Sequence, residues 1–348
     1  MKKTQAIIPL FKKFITDTET GRRVKKNGER IKKESVDNYR YVLNNLIDFN
    51  KVTKFDLRIC DASRLSKKEY TSEKNYWKKF YKKFTDFLYK KGCYDNYVGH
   101  NIKVIRTFFL YLRNDRDFST GDFQRVFYVR KEEVDILVLS PDQLKFLIHD
   151  NNFDSGLTVA QKRIKDIFIF GCCTGLRFSD IFLLTNKNFE IQEDVYYLKT
   201  RSKKTKTYTS VKLPDYAIEI YQRYKPLSTN QNVFGKSSLF YFNKSLKSLG
   251  EKAGFVDPID LSRERLGLAK PIIEKNNKKE IRFCDRMSSH MMRRTAVTTM
   301  LILGMPEHLV RKISGHSSNS NSFNRYVHYA QVYMDKEIDK IHMQLQEY

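Results

Sequence analysis

The 65 lysines and arginines of this 348-residue chain outnumber its 40 aspartates and glutamates, leaving a formal charge of +25 and a pI near 9.7. A polyanion is the partner such a charge calls for, and the length allows two domains that each bury a core. There is no run of roughly eighteen apolar residues and no apolar leader after Met1-Lys2-Lys3, which argues against membrane insertion and secretion.

The charge is spread over both halves: residues 1 to 135 hold 32 basic and 18 acidic groups, the remainder 33 and 22. Two cationic domains joined by a linker can grip a duplex from opposite sides, which one basic tail cannot. The five cysteines, Cys60, Cys93, Cys172, Cys173 and Cys284, are odd in number and lack C-x-x-C spacing. They read as reduced thiols, so the expected setting is the cytoplasm.

In chain order, Ile7, Leu10, Phe11, Phe14 and Ile15 fall at helical spacing. A polar stretch from Thr16 to Lys33 follows as a predicted exposed loop, whose Arg22, Arg23, Lys25, Lys26, Arg30, Lys32 and Lys33 are candidates for phosphate contact or simply a solvated surface. Ser35 is the expected cap of a helix burying Val36, Tyr39, Val42, Leu43, Leu46 and Ile47. A third helix carries Tyr76, Trp77, Phe80, Tyr81, Phe84, Phe87 and Leu88, and a fourth Val98, Ile102, Ile105, Phe108 and Leu112. An aromatic stripe can stack on bases, but at this regular spacing it reads as core. Residues 1–132 are therefore expected to form an all-α domain, with 133–140 as linker and Pro141 opening the next helix.

The second domain, 141–348, reads as mainly α with a small antiparallel sheet, an α+β unit. Leu157 to Phe170 is apolar and helical and breaks at Gly175, within Cys173-Thr174-Gly175-Leu176-Arg177-Phe178-Ser179-Asp180. Short strands are predicted at 189–191, 195–200 and 208–213, the last two joined by the basic turn RSKKTK. Helices follow at 215–224 and 239–253, and the Asn276-Asn277 pair predicts one more hairpin. His290 and Arg293 then stand three apart on a helix capped by Ser288 or Ser289, so both leave from one face. Val297, Met300, Leu301 and Leu303 are its expected buried residues, and Gly304 with Pro306 ends it. A helix at 307–313 delivers Gly315-His316, and a further segment presents Tyr326. The end of the chain is amphipathic, with Ile338, Ile341 and Leu345 on one face.

These motifs, in this order, resemble the tyrosine recombinases, the phage-integrase family of site-specific DNA recombinases: T-G-L-R-F-S-D around Arg177, a lysine-bearing strand turn, H-M-M-R-R-T at 290–295, and G-H-S followed by R-Y-V-H. The likeness spans the chain from about Leu139, while the first domain looks more loosely like the family's helical core-binding domain. Two departures are Arg294, where a histidine often follows the motif arginine, and Ser314, which replaces the common leucine before Gly-His.

The resemblance implies the site. Arg177 and Arg293 would clamp the scissile phosphate, and His290 and His316 would donate to its nonbridging oxygens, with His290 also able to take the nucleophile's proton. Tyr326 would attack, forming a 3′-phosphotyrosyl link and freeing a 5′-hydroxyl; Tyr329 and Tyr333 are its competitors by helical register. A lysine on the strand turn would protonate the leaving oxygen, and of Lys203, Lys204 and Lys206 the best match is Lys204, directly before Thr205. Asp180 is expected to orient an arginine or histidine, and His328 to be a neighbour. No metal, cofactor or ATP is implied. The implied partners are double-stranded DNA, three further copies in a tetramer on two DNA sites that exchange C-terminal tails, and accessory DNA-bending proteins. A type IB topoisomerase shares the chemistry, and a DNA-binding architectural factor could keep the fold without it; the presence of the tyrosine and both arginines favours the recombinase.

Overall fold

The computed structural model describes residues 4–203, 206–226, 231–272, 280–317 and 320–346. The chain divides into two compact units, Met1–Val134 with Ser262–Pro271, and Asp135–Leu261 with Ile272–Tyr348.

The first unit opens with β1 (Thr4–Ala6), α1 (Ile7–Glu19), α2 (Lys33–Thr53), β2 (Arg58–Cys60), α3 (Lys67–Lys90) and α4 (Asp95–Asp115). β1 pairs antiparallel with β2, Thr4 opposite Cys60, a short ribbon the sequence pattern does not announce. Helix α1 continues past Ile15 because its polar residues are satisfied in place. The Thr16, Thr18 and Thr20 hydroxyls donate to carbonyls four residues back, and the buried Asp17 accepts from the Tyr111 hydroxyl at 2.6 Å. Helix α2 starts at Lys33, ahead of Ser35, and no side chain caps it. Helix α3 starts nine residues before Tyr76, where Ser66 and Glu69 form a reciprocal capping box that the polar first turns conceal in an apolar-periodicity reading. The aromatic stripe is core: Phe11, Phe49, Trp77, Phe80, Phe108 and Phe109 are all buried. Trp77 meets Phe80 and Phe109 edge-on at 5.4 and 4.9 Å, contacts worth about 0.5–1.5 kcal/mol each beyond their area.

The second unit begins with α5 (Pro141–His149), α6 (Asn151–Ser155), α7 (Val159–Thr174) and α8 (Phe178–Ile181). Capping boxes at Ser140/Gln143 and Thr158/Gln161 start α5 and α7. The sheet follows in the order β3 (Phe189–Gln192), β4 (Val195–Arg201), β5 (Tyr208–Lys212), all antiparallel, with Leu198 of β4 between Phe189 and Val211 and fully buried. Helices α9 (Asp215–Tyr224) and α10 (Leu239–Lys252) complete this half.

Strands β6 (Ser262–Arg265) and β7 (Leu268–Pro271) then form a hairpin that belongs to the first unit. Leu266 and Gly267 turn it with φ of +58° and +75°, the left-handed pair that suits the twist of a two-residue hairpin loop. Buried carboxylates hold it there. Glu132 accepts from the Arg263 guanidinium and the Glu264 and Asn96 N–H groups, and Asp95 accepts from the Leu266 and Gly267 N–H groups and the Tyr89 hydroxyl. Burial pushes both acids up, but these donors outweigh it and hold each below its ordinary range. The hairpin expected around Asn276-Asn277 lies outside the described residues.

The chain closes with α11 (Ser289–Ile302), α12 (Glu307–Ser314) and α13 (Asn321–Gln346). Ser288 is the N-cap of α11 but makes no side-chain capping bond; the Ser289 N–H donates to Asn243 of α10. Helix α11 packs on α7 through Gly171, where a Cβ would stand 2.9 Å from that of Met292. Val297 is buried as expected, whereas Leu303, just past the last helical turn, is 76% exposed. Val297, Val310 and Phe323 form a small core joining α11, α12 and α13, with Tyr326 and Val327 against it.

Candidate active site

Helix α7 ends at Gly175, whose φ of +66° lets the chain reverse, and Arg177 follows in extended conformation as the N-cap of α8. Its Nη1 donates to the Ser202 hydroxyl at 3.0 Å, and that hydroxyl donates in turn to Asp180 at 3.1 Å. The carboxylate itself is 4.0 Å from Nη1, so the serine stands between cation and anion. The other Asp180 oxygen accepts from the Lys203 N–H at 3.2 Å. Asp180, buried, thus fixes both the arginine and the start of the β4–β5 turn. That turn is closed by Ser202 N–H to the Thr207 carbonyl and Lys206 N–H to the Ser202 carbonyl, both 2.9 Å. Lys203 and Lys206 are exposed beside it, while Lys204 and Thr205 lie outside the described residues.

Arg293, only 8% exposed, leaves α11 and ties two helix ends together. Nη1 donates to the Gly175 carbonyl at 2.9 Å, Nη2 donates to the Ser314 carbonyl, and Nη2 lies 3.3 Å from His316 Nε2. His316 is placed by the end of α12: Gly315, with φ of +61°, caps the helix, and the His316 N–H bonds back to the Arg311 carbonyl at 2.9 Å. The Tyr326 ring on α13 lies 5.8 Å from the imidazole, centroid to centroid, and is half-buried. Tyr329 is half-buried one turn on, its phenol pushed up by burial and by Tyr333. His290 is exposed on α11, one turn before Arg293.

The electrostatics are those of a cationic cluster. Burial, and then Arg177, push Arg293 down to about 10 against the opposing pull of Tyr326 and Asp180. Burial followed by Arg293, Arg177 and Arg311 pushes His316 down to about 4. Cations crowded together in a partly buried site are relieved by an anion, and two planar guanidinium forks suit a phosphate. Arg177, Arg293, His316 and Tyr326 are therefore drawn into one cluster. Sequence reasoning did not pick out Ser202 or the part that Ser314 plays beside His316. The signal for Ser202 was its place within the basic turn RSKKTK, directly after the end of β4.

A two-unit, mainly helical chain with a small antiparallel sheet and this arginine–histidine–tyrosine cluster defines a tyrosine recombinase, an enzyme of DNA strand breakage and rejoining. The chain belongs to the phage integrase family, whose model matches residues 138–332. No curated protein matches it at the level of sequence. Among solved structures it is similar to XerH site-specific recombinase bound to difH substrate, with 15% identity and a TM-score of 0.55 over 92% of this chain and 81% of that one. It is also similar to the Tn1549 transposon integrase in complex with transposon right end DNA, with 15% identity and a TM-score of 0.57 over 95% and 99%. Lambda integrase bound to DNA shares 10% identity and a TM-score of 0.58 over 91% and 93%. At these identities the likeness is one of fold.

Proposed function

We propose that the protein is a site-specific DNA recombinase of the integrase or invertase type, cutting and rejoining DNA through a 3′-phosphotyrosyl intermediate without metal or ATP. The convergence of Arg177, Arg293, His316 and Tyr326 in one cationic cluster carries the reading. Arg177 and Arg293 pair with the nonbridging oxygens of the scissile phosphate, in a geometry set before DNA arrives by Ser202, Asp180 and the Gly175 carbonyl. His290 supplies a further donor, and His316 supplies one once it is protonated. Tyr326 attacks phosphorus, the P–O bond to the 5′-oxygen breaks, and a lysine of the β4–β5 turn, Lys204 by resemblance, protonates the leaving oxygen. The phosphotyrosyl link conserves the bond energy, so a 5′-hydroxyl of another strand can reverse the step.

The partner is double-stranded DNA, in keeping with the charge of +25 and with structural neighbours that are themselves bound to DNA. Residues 1–132 serve as the core-DNA-binding domain and 141–348 as the catalytic domain, joined by 133–140, except that the β6–β7 hairpin goes with the first unit. Four protomers hold two sites and exchange tails. Val332, Met334 and Ile338 of α13 are exposed, and the second unit offers a cavity of about 460 Å³, lined by Leu144, Tyr216, Ala296 and Met300 among others, as the seat for a neighbour's tail. The Ile341 and Leu345 side chains lie outside the described residues. The setting is the cytoplasm, in keeping with five cysteines that are all free thiols; no described helix is long and apolar enough to cross a membrane.

The test is incubation in EDTA with a nicked duplex that the protein itself has selected from a random pool. The expected product is a covalent protein–DNA adduct with a free 5′-hydroxyl on the released strand. Binding of that duplex without any adduct would overturn the reading.

A further inference from the structure

Ser314 stands where the resemblance leads one to expect leucine, and its surroundings give the hydroxyl a task. It closes α12 and is 3% exposed. A serine hydroxyl has one proton, and here it is directed at the Val310 carbonyl one turn back, 2.6 Å away. The oxygen's lone pairs are left for His316 Nδ1 at 2.7 Å, so Nδ1 must carry a hydrogen. Neutral imidazole with its hydrogen on Nδ1 has its lone pair on Nε2, which faces Arg293 Nη2 at 3.3 Å, the same nitrogen standing 3.4 Å from Nδ1.

The groups facing this ring keep it neutral. Arg293 approaches from α11, Arg177 from the start of α8 and Arg311 from α12 itself, while α13 contributes the Phe323 edge and the Tyr326 phenol. Three cations and burial all disfavour imidazolium before DNA binds, so Nε2 enters the reaction as an acceptor.

We propose that Ser314 is a positioning residue that locks His316 in the Nδ1–H tautomer, so that Nε2 receives the proton of Tyr326 as the phenol attacks the scissile phosphate. The second half of this statement rests on the recombinase reading of the site. The O–H bond of Tyr326 breaks and an N–H bond forms at Nε2; the phenolic oxygen bonds to phosphorus, and the 5′-oxygen departs with a proton from the lysine turn. The resulting imidazolium keeps Nδ1–H on Ser314 and can turn Nε2–H toward a nonbridging oxygen. A positive charge is thereby created as negative charge builds on the phosphate. His290, exposed on α11, is left to the phosphate oxygens. A leucine or alanine at 314 offers Nδ1 no acceptor and leaves the ring free to take the other tautomer.

Two measurements test this on the full-length protein. Long-range ¹H–¹⁵N spectra of histidine-labelled protein, with His316 assigned by its loss in His316→Gln, report the tautomer without any need for activity. The wild type and Ser314→Thr are expected to show Nδ1–H, and Ser314→Ala a mixture or Nε2–H. An Nε2–H wild type, or an unchanged Ser314→Ala of native melting temperature, overturns the lock. Single-turnover cleavage is then measured on the selected duplex with a 5′-bridging phosphorothiolate at the scissile position, whose thiolate leaves without a proton. Ser314→Ala is expected to be about ten-fold slow and Ser314→Thr restored, while His316→Gln stays at least about a hundred-fold slow because the acceptor is still needed. Full rescue of His316→Gln by the phosphorothiolate would assign His316 to the leaving group and overturn the proton-acceptor role. A wild type that binds the duplex but never forms the adduct would remove the recombinase reading and the acceptor role together, leaving the spectra to decide the lock.

Discussion

Ser202 has no catalytic chemistry of its own, yet it decides where Arg177 points. Without it, the buried Asp180 carboxylate could pair directly with the guanidinium and draw it from the phosphate, since only 4.0 Å separates them. Ser202→Ala is therefore expected to slow cleavage about ten-fold, the worth of one hydrogen bond to a charged group, with DNA affinity nearly unchanged. Single-turnover rates measured beside a binding isotherm check this, and an equal loss in both would show that Ser202 serves binding alone. The arginines, histidines and tyrosine were legible because each is a strong chemical type at a characteristic spacing. Ser202 and Ser314 were not, because a serine's role lies in which atoms it stands between, and those arrive from residues 22 and 25 positions away in one case and from the preceding helical turn in the other.

At the scale of elements, the site depends on how closely α11 lies on α7, and that closeness is set by Gly171. A methyl group there would meet the Met292 Cβ and Sδ at 2.9 and 2.5 Å. Gly171→Ala is expected to lower stability by about 1–3 kcal/mol as the helices are pushed apart. It should also slow cleavage, because Arg293 is on α11 while one of its anchors, the Gly175 carbonyl, is at the end of α7. Urea unfolding and cleavage rates together check the pair of effects. The β6–β7 hairpin yields a pH prediction. The acids that hold it, Asp95 and Glu132, lie below their ordinary range in the folded chain, so the stability they contribute is complete above about pH 5 and is lost as the pH falls through their folded values. Melting temperature should fall less steeply between pH 6 and about pH 3 in Glu132→Gln than in the wild type, from a starting point already lowered by about 3 kcal/mol of lost ion pair. Parallel pH curves would contradict it. Helices with a long apolar period were readable in the sequence, as were the three strands of the sheet. The hairpin was not, since its strands SRER and LAKP carry no alternating apolar pattern and are held by carboxylates more than 130 positions away.

Taken whole, the molecule is a pair of cationic units with a terminal helix that leaves apolar side chains in solvent. Affinity for any duplex should fall steeply between 50 and 200 mM salt, as counterion release requires, and a shallow salt slope would mean that few phosphates are contacted. Truncation after Val332 removes the exposed Met334 and Ile338 and should leave single-site binding intact while abolishing assembly of two sites, read by native gel. The central claim, however, concerns one oxygen. Wild type, Tyr326→Phe and Tyr329→Phe are incubated in EDTA with the selected, nicked duplex and resolved on denaturing gels. The structure places Tyr326 beside His316 and leaves Tyr329 with a phenol that burial makes harder to ionise, so the covalent band is expected to vanish in Tyr326→Phe and persist in Tyr329→Phe. A band that persists in Tyr326→Phe and is lost in Tyr329→Phe would contradict this account of the site.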